Sequence, residues 1–140
     1  VGGKLEHNSH EDYVNLMMKF DNSIIGLCET NWLTPMKVRD ISITTDTCFV
    51  SIDYMEQEIK VLSTRYSDLD PTNLFEAKLE ISEDKISLQK IEPLKSEIMN
   101  FLGAVKGDRK PLVTGNQAFN AVRIVEAGLK SLQTGKLIQL

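Results

Sequence analysis

Residues 12–32 constrain this chain more than any other stretch. They read DYVNLMMKF, then Asp21-Asn22, then SIIGLCETNW: two runs rich in Val, Ile, Leu and Met on either side of a turn dipeptide. Asn and Asp tolerate positive φ, which a two-residue hairpin turn of the right twist requires. The spacing therefore predicts an antiparallel pair, residues 12–20 with 23–32. If Phe20 pairs with Ser23, then Val14, Leu16, Met18 and Phe20 share a face with Ile25 and Leu27. Tyr13, Met17, Ile24, Gly26 and Cys28 then share the other. A sheet with one wet face alternates apolar with polar residues. Here both faces are partly apolar, so each is expected to be covered, one by helices of the chain and the other by a second copy through Tyr13, Met17, Ile24 and Cys28.

The remaining chain is long enough to supply such a cover. At 140 residues, 41% hydrophobic and 26% charged, it has the make-up of one soluble globular domain. A net charge of −4 with no basic run argues against nucleic acid or an anionic membrane surface as partner. No apolar stretch approaches the roughly 20 residues that span a bilayer, and the polar start VGGKLEHNSHEDY lacks the apolar segment of a secretory signal. Cys28 and Cys48 fall in separate strand-like segments without CxxC spacing, as free thiols of a reducing cytoplasm would. The opening Val1-Gly2-Gly3-Lys4 has no initiator Met, and the chain is expected to be a piece of a longer one.

After the hairpin, Pro35 interrupts the strand pattern. Residues 36–45 alternate, with Val38, Asp40, Ser42 and Thr44 against Arg39, Ile41, Ile43 and Thr45. Residues 48–54 and 57–63 follow as further strands, close enough for an antiparallel meander. Residues 64–73 read as a surface loop. Residues 74–82 alternate again, with Phe75, Ala77, Leu79 and Ile81 inward, Glu83-Asp84 turns the chain, and residues 85–91 return. The period then changes to that of helices. Pro93 suits a first helical position, Leu94, Ile98, Phe101, Leu102 and Val105 recur at helical spacing, and Gly107 closes the segment. Thr114 with Gln117 three residues on forms a capping-box pattern. Behind it run Ala118, Val122, Val125, Leu129 and Leu132, ending before Gly135, while Gly128 marks a close approach to the sheet or the neighbouring helix. Residues 136–140 are short enough for an edge strand. The fold expected is α+β: an open-faced, mostly antiparallel sheet with two C-terminal helices on one face.

No glycine-rich phosphate loop, GxSxG elbow, HExxH or CxxC is present. His7 and His10 are spaced to meet on a helix face but point apart in a strand, and no third ligand follows at a telling distance. They are expected to be loop residues.

The last third, EPLKSEIMNFLGAVKGDRKPLVTGNQAFNAVRIVEAGLKSLQTGKLIQL, resembles the C-terminal end of the Gfo/Idh/MocA oxidoreductases, the glucose–fructose oxidoreductase and inositol dehydrogenase family. That family carries a PLxxEIxxFLxAVxG helix, a KPLVTG-like segment and a helix with R-I-V-E-A-x-x-x-S ending in TGK. Pro93, Leu94, Glu97, Phe101, Gly107, Pro111, Thr114, Gly115, Arg123, Glu126, Ala127, Ser131 and Gly135 stand where the pattern puts them. Upstream, EDYVNLMMKFDNSIIGLCETNWLTP resembles the family's HEDYA-type strand, its F-x-N-G-x-x-G hairpin and its strand ending in Trp, with Ser23 where glycine is usual.

The resemblance implies that residues 1–140 form a single C-terminal domain whose N-terminal Rossmann half, binding NAD or NADP, lies outside this sequence. The family's catalytic Lys and His belong to EKP and DxxxH motifs upstream, so no catalytic residue is expected here and the fragment alone should be inactive. The implied function is the substrate-facing and oligomerisation domain of a dehydrogenase acting on a sugar, nucleotide-sugar or polyol; the rival is an inert sheet module serving only subunit assembly. For substrate contact the candidates are Trp32, Lys37 and Arg39, a stacking ring beside two cations that share a strand face. The alternative leaves Trp32 in the core and the two cations solvated.

Overall fold

The computed structural model describes residues 1–5, 9–67 and 78–140. It is an α+β protein of seven strands and two helices among those residues, with every strand pair antiparallel. The strands form two sheets, and the chain divides into two compact units: Val1–Pro35 with Pro93–Leu140, and Met36–Glu92.

In the first unit, β1 (Gly2–Gly3), β2 (Tyr13–Lys19) and β3 (Ile25–Asn31) lie in that order. The hairpin forms where expected, but its register differs. Lys19 pairs with Ile25 and the Phe20 amide donates to the Ile24 carbonyl at 2.9 Å, which leaves Asp21, Asn22 and Ser23 as the turn. Ser23 takes φ 65°, the left-handed region that adds a residue to the loop. A one-residue slip exchanges the faces of a strand. Val14, Leu16 and Met18 therefore share their face with Gly26, Cys28 and Thr30, whereas Tyr13, Asn15, Met17 and Lys19 share theirs with Ile25, Leu27, Glu29 and Asn31. The expected grouping of Tyr13 and Met17 with Ile24 and Cys28 does not hold.

The helices follow their local signals closely. Helix α1 (Pro93–Lys106) ends in a Schellman turn: Gly107 has φ 81°, its amide donates to the Ala104 carbonyl at 3.1 Å, and the Asp108 amide donates to that of Gly103 at 3.0 Å. Helix α2 (Gly115–Thr134) carries the complete capping box between Thr114 and Gln117 and closes at Gly135, φ 65°. Residues 136–140 do not form the expected edge strand. Instead, the Lys136 carbonyl accepts from Ser131 Oγ at 2.7 Å, which turns the chain back on the helix end.

Helix α2 seats on the Leu16 face of the sheet. A Cβ on Gly128 would stand 2.7 Å from Leu16 Cδ2, and one on Gly2 would lie 3.2 Å from both Leu132 Cδ2 and Val14 Cγ2. The shielded positions of α2 are Ile124, Ala127, Gly128, Ser131 and Leu132, a narrow strip beside the expected apolar stripe. Val122, Val125 and Leu129 stay exposed, and so do Leu94, Ile98, Phe101, Leu102 and Val105 of α1. Three of these five, Ala127, Gly128 and Ser131, are small residues that let the helix approach the sheet, a preference that apolar periodicity does not register.

The second unit is a meander, β4 (Asp40–Thr44), β5 (Cys48–Asp53), β6 (Glu58–Ser67) and β7 (Lys78–Ile86). Strand β7 runs straight through Glu83-Asp84, where the sequence suggests a turn. Leu62 pairs with Glu83 and Val61 with Asp84, so the ladder with β6 overrides the local preference of the acidic pair. Strand β6 likewise extends past the expected end of its segment, to Ser67. Phe75 and Ala77 lie outside the described residues. The register aligns Ile41, Ile52, Ile59 and Ile86 in one row across all four strands, with Ile43, Val50 and Val61 beside them. The opposite face carries Asp40, Asp53, Glu58, Lys60 and Lys85. Asp53 Oδ1 accepts from the amides of Met55 at 2.8 Å and Glu56 at 3.0 Å, and Gln57 at φ 53° completes that turn. The Gln57 side chain then holds Ile91 at both its amide (2.9 Å) and its carbonyl (2.8 Å), as a strand neighbour would.

Candidate functional site

The candidate site centres on the end of β3, where the hydrogen bonding fixes the backbone while leaving a large ring in solvent. Asn31 Oδ1 accepts from the Leu33 amide (3.1 Å), the Thr34 amide (2.9 Å) and Thr34 Oγ1 (2.7 Å). This is an Asx turn extended by a hydroxyl, which stops the strand and sets the path of the next residues. The Trp32 amide, one residue on, donates to the Asp12 carbonyl at 2.9 Å. Asp12 itself is buried, and its carboxylate Oδ2 accepts from the Leu5 amide at 2.9 Å, joining the β1 side of the sheet to the same point. The Trp32 side chain, by contrast, is 86% exposed.

Trp32 is thus not buried in this structure, in which no described hydrophobic side chain is fully buried. Leaving an indole in water forgoes more burial energy than any other side chain could supply, and a buried tryptophan also needs a partner for its N–H. A braced, exposed ring can stack on the apolar face of a sugar or a base. Asp12 and Asn31 hold the backbone on either side of Trp32, and the sequence did not single them out; Asn31-x-x-Thr34 is the local signal that could have revealed the second of them.

Lys37 and Arg39 are placed differently from expectation. Strand β4 starts at Asp40, so Lys37 lies in the irregular segment before it and the two cations do not share a strand face. Arg39 is tied to β5 through its carbonyl, which accepts from the Tyr54 amide at 2.9 Å. Both side chains are exposed. Trp32 belongs to the first unit, Lys37 and Arg39 to the second.

Two shallow hollows lie elsewhere. One, about 550 Å³, is lined by Phe20, Asp21, Asn22 and Ile24 at the hairpin turn. The other, about 410 Å³, includes Glu56, Glu58, Lys85 and Lys90. Its charges are mutually paired, Glu58 with Lys85 at 3.6 Å and Glu56 with Lys90 at 3.3 Å. Neither hollow contains Trp32, Lys37 or Arg39.

Among the described residues, no three His, Cys, Asp or Glu side chains gather as a metal would require. His7 lies outside the described residues. No helix among the described residues is long and apolar enough to cross a membrane. Every strand pair among the described residues is antiparallel, and α1 opens on Pro93. Compared with models of known families, with curated proteins and with solved structures, the chain gives no match.

Proposed function

We propose that the chain is the substrate-facing and oligomerisation domain of an NAD(P)-dependent dehydrogenase acting on a sugar, nucleotide-sugar or polyol. The observation that carries this reading is Trp32, 86% exposed on a backbone braced from both sides. Holding an aromatic ring in water costs stability, and a ligand that stacks on it repays that cost. Two features of the family pattern are also consistent with the geometry. Gly107 and Gly135 occupy left-handed positions at helix ends, and Ser23, where the pattern has glycine, sits at φ 65°.

In this reading the nicotinamide belongs to the Rossmann half and accepts or donates the hydride there. This domain's part is to bind and orient, with the Trp32 ring stacked against the substrate. Proton transfer falls to residues outside these 140. The free thiols Cys28 and Cys48 suit a cytoplasmic enzyme. The sheet face bearing Tyr13, Met17, Ile25 and Leu27 serves self-association.

The test is steady-state kinetics on the longer enzyme carrying Trp32→Phe and, separately, Arg39→Ala. A lost site contact raises KM or lowers kcat/KM while the melting temperature holds. Unchanged kinetics in both variants would refute the substrate role. The rival reading, an inert assembly module, is favoured by the open Ile41–Ile52–Ile59–Ile86 row. It requires that any sequence preceding Val1 lack intact GxGxxG, EKP and DxxxH motifs.

A further inference from the structure

We infer that Asp12 is a positioning residue for Trp32: its buried carboxylate, anchored on the Leu5 amide, fixes the carbonyl that holds the Trp32 amide. This rests on the reading that Trp32 meets the substrate, and names what sets the ring's place.

Burial singles Asp12 out. At 4% exposed it is the one shielded polar or charged side chain among the described residues, where no hydrophobic side chain is shielded to that degree. Aspartate is rarely buried unless its oxygens are bonded, and an apolar side chain of similar volume is often as stable in such a place. The worth of a carboxylate here therefore lies in the bonds it makes and in what they hold still.

Those bonds lie where the sheet would otherwise loosen. The regular pairs of β2 and β3 run from Lys19–Ile25 to Tyr13–Asn31. One step beyond, the Trp32 amide donates to the Asp12 carbonyl at 2.9 Å. The last bond of a ladder opens most readily, because nothing farther along holds either partner. Asp12 is held from the other side instead. Its amide donates to the Gly3 carbonyl at 2.9 Å, and its Oδ2 accepts from the Leu5 amide at 2.9 Å, so it grips the segment Gly3–Leu5 at two points. The carboxylate thereby turns a fraying end into a junction between β1 and the end of β3. Asn31 acts on the far side of the ring, where its Oδ1 receives the Leu33 and Thr34 amides and leaves that of Trp32 to Asp12. The two side chains divide the work: Asn31 sets the path after Trp32, and Asp12 sets Trp32 itself.

The experiment is amide hydrogen exchange of the 140-residue chain followed by NMR, with far-UV circular dichroism to verify folding. Its variants are Asp12→Ala, Asp12→Asn, Leu5→Pro and Asn31→Ala. Protection of the Trp32 amide is read relative to the other β3 amides, so that a general loss of stability cancels. Asp12→Ala removes the anchor and Leu5→Pro removes its donor, and each should lower that ratio about tenfold. Asp12→Asn keeps an acceptor of the same shape and should hold the ratio within about threefold of the parent. Asn31→Ala should release the Leu33 and Thr34 amides and leave the ratio unchanged. Trp32 is the only tryptophan of the chain, so fluorescence anisotropy reports the freedom of its ring and should fall in Asp12→Ala and Leu5→Pro. A ratio unchanged in both of these overturns the inference, and so does Asp12→Asn faring no better than Asp12→Ala. If Asp12→Ala does not fold, Leu5→Pro, which leaves the carboxylate in place, decides alone. On the longer enzyme Asp12→Ala should raise KM with little change in kcat, as a lost binding contact does. If the exchange result holds while neither Asp12→Ala nor Trp32→Phe alters the kinetics, Asp12 still positions Trp32 and the substrate reading is what fails.

Discussion

Replacing Gly128 with alanine sets two known effects against each other at one point of contact. Glycine inside a helix costs about 1 kcal/mol relative to alanine, so the substitution on its own should stabilise α2 by that amount. The new Cβ, however, would stand 2.7 Å from Leu16 Cδ2 and 3.1 Å from Leu16 Cδ1. Both distances are too short, and relieving such overpacking costs about 1–3 kcal/mol. The net expectation is destabilisation of up to about 2 kcal/mol. In a Leu16→Ala background the clashing methyls are gone, and only the helix gain of about 1 kcal/mol remains. The double-mutant cycle should therefore show a coupling of about 1–3 kcal/mol between positions 16 and 128. Urea unfolding followed at 222 nm is the assay. Both helices belong to the unit that contains β1–β3, so the helical signal reports the packing in question. If Gly128→Ala stabilises equally in both backgrounds, α2 does not seat on Leu16, and the assignment of the covered and uncovered faces fails with it.

Thr114→Ala removes the hydroxyl that receives the Gln117 amide and should cost about 1 kcal/mol, with Thr114→Ser retaining most of it; thermal unfolding measures both. The 140-residue chain should show no binding of NAD or NADP by calorimetric titration, since its sequence carries no glycine-rich phosphate loop of the GxGxxG type. Micromolar affinity for either nucleotide would contradict the placement of the cofactor outside this chain.

Helix ends, strand existence and the exposed ring were legible from the sequence to different degrees. Pro93, Gly107, the Thr114–Gln117 box and Gly135 each work through bonds to residues three to five away, so the sequence alone determined where both helices start and stop. The alternation in residues 36–45, followed closely by the strand-like segments 48–54 and 57–63, likewise announced three strands, although the first begins only at Asp40. Gly128 signalled a close approach before any partner was known.

What required the tertiary structure was every choice between near-equal local options. Two- and three-residue turns at Asp21-Asn22-Ser23 both satisfy the composition, and the three-residue form, with Ser23 at φ 65°, reassigns which residues share a face. Glu83-Asp84 favours a turn in isolation, yet pairing with Val61 and Leu62 keeps it in β7. The seat of α2 includes the small residues Ala127, Gly128 and Ser131 beside Ile124 and Leu132, because closeness to the sheet, set by the residues opposite, outweighed the hydrophobicity of Val122 and Val125. Trp32 could equally have been core or surface on composition; the bonds from Asn31 and Asp12 hold its backbone so that the ring faces water. Local hydrogen-bond geometry is written in neighbouring residues, whereas register, seat and exposure depend on contacts between residues far apart in the chain, which no single stretch of sequence encodes.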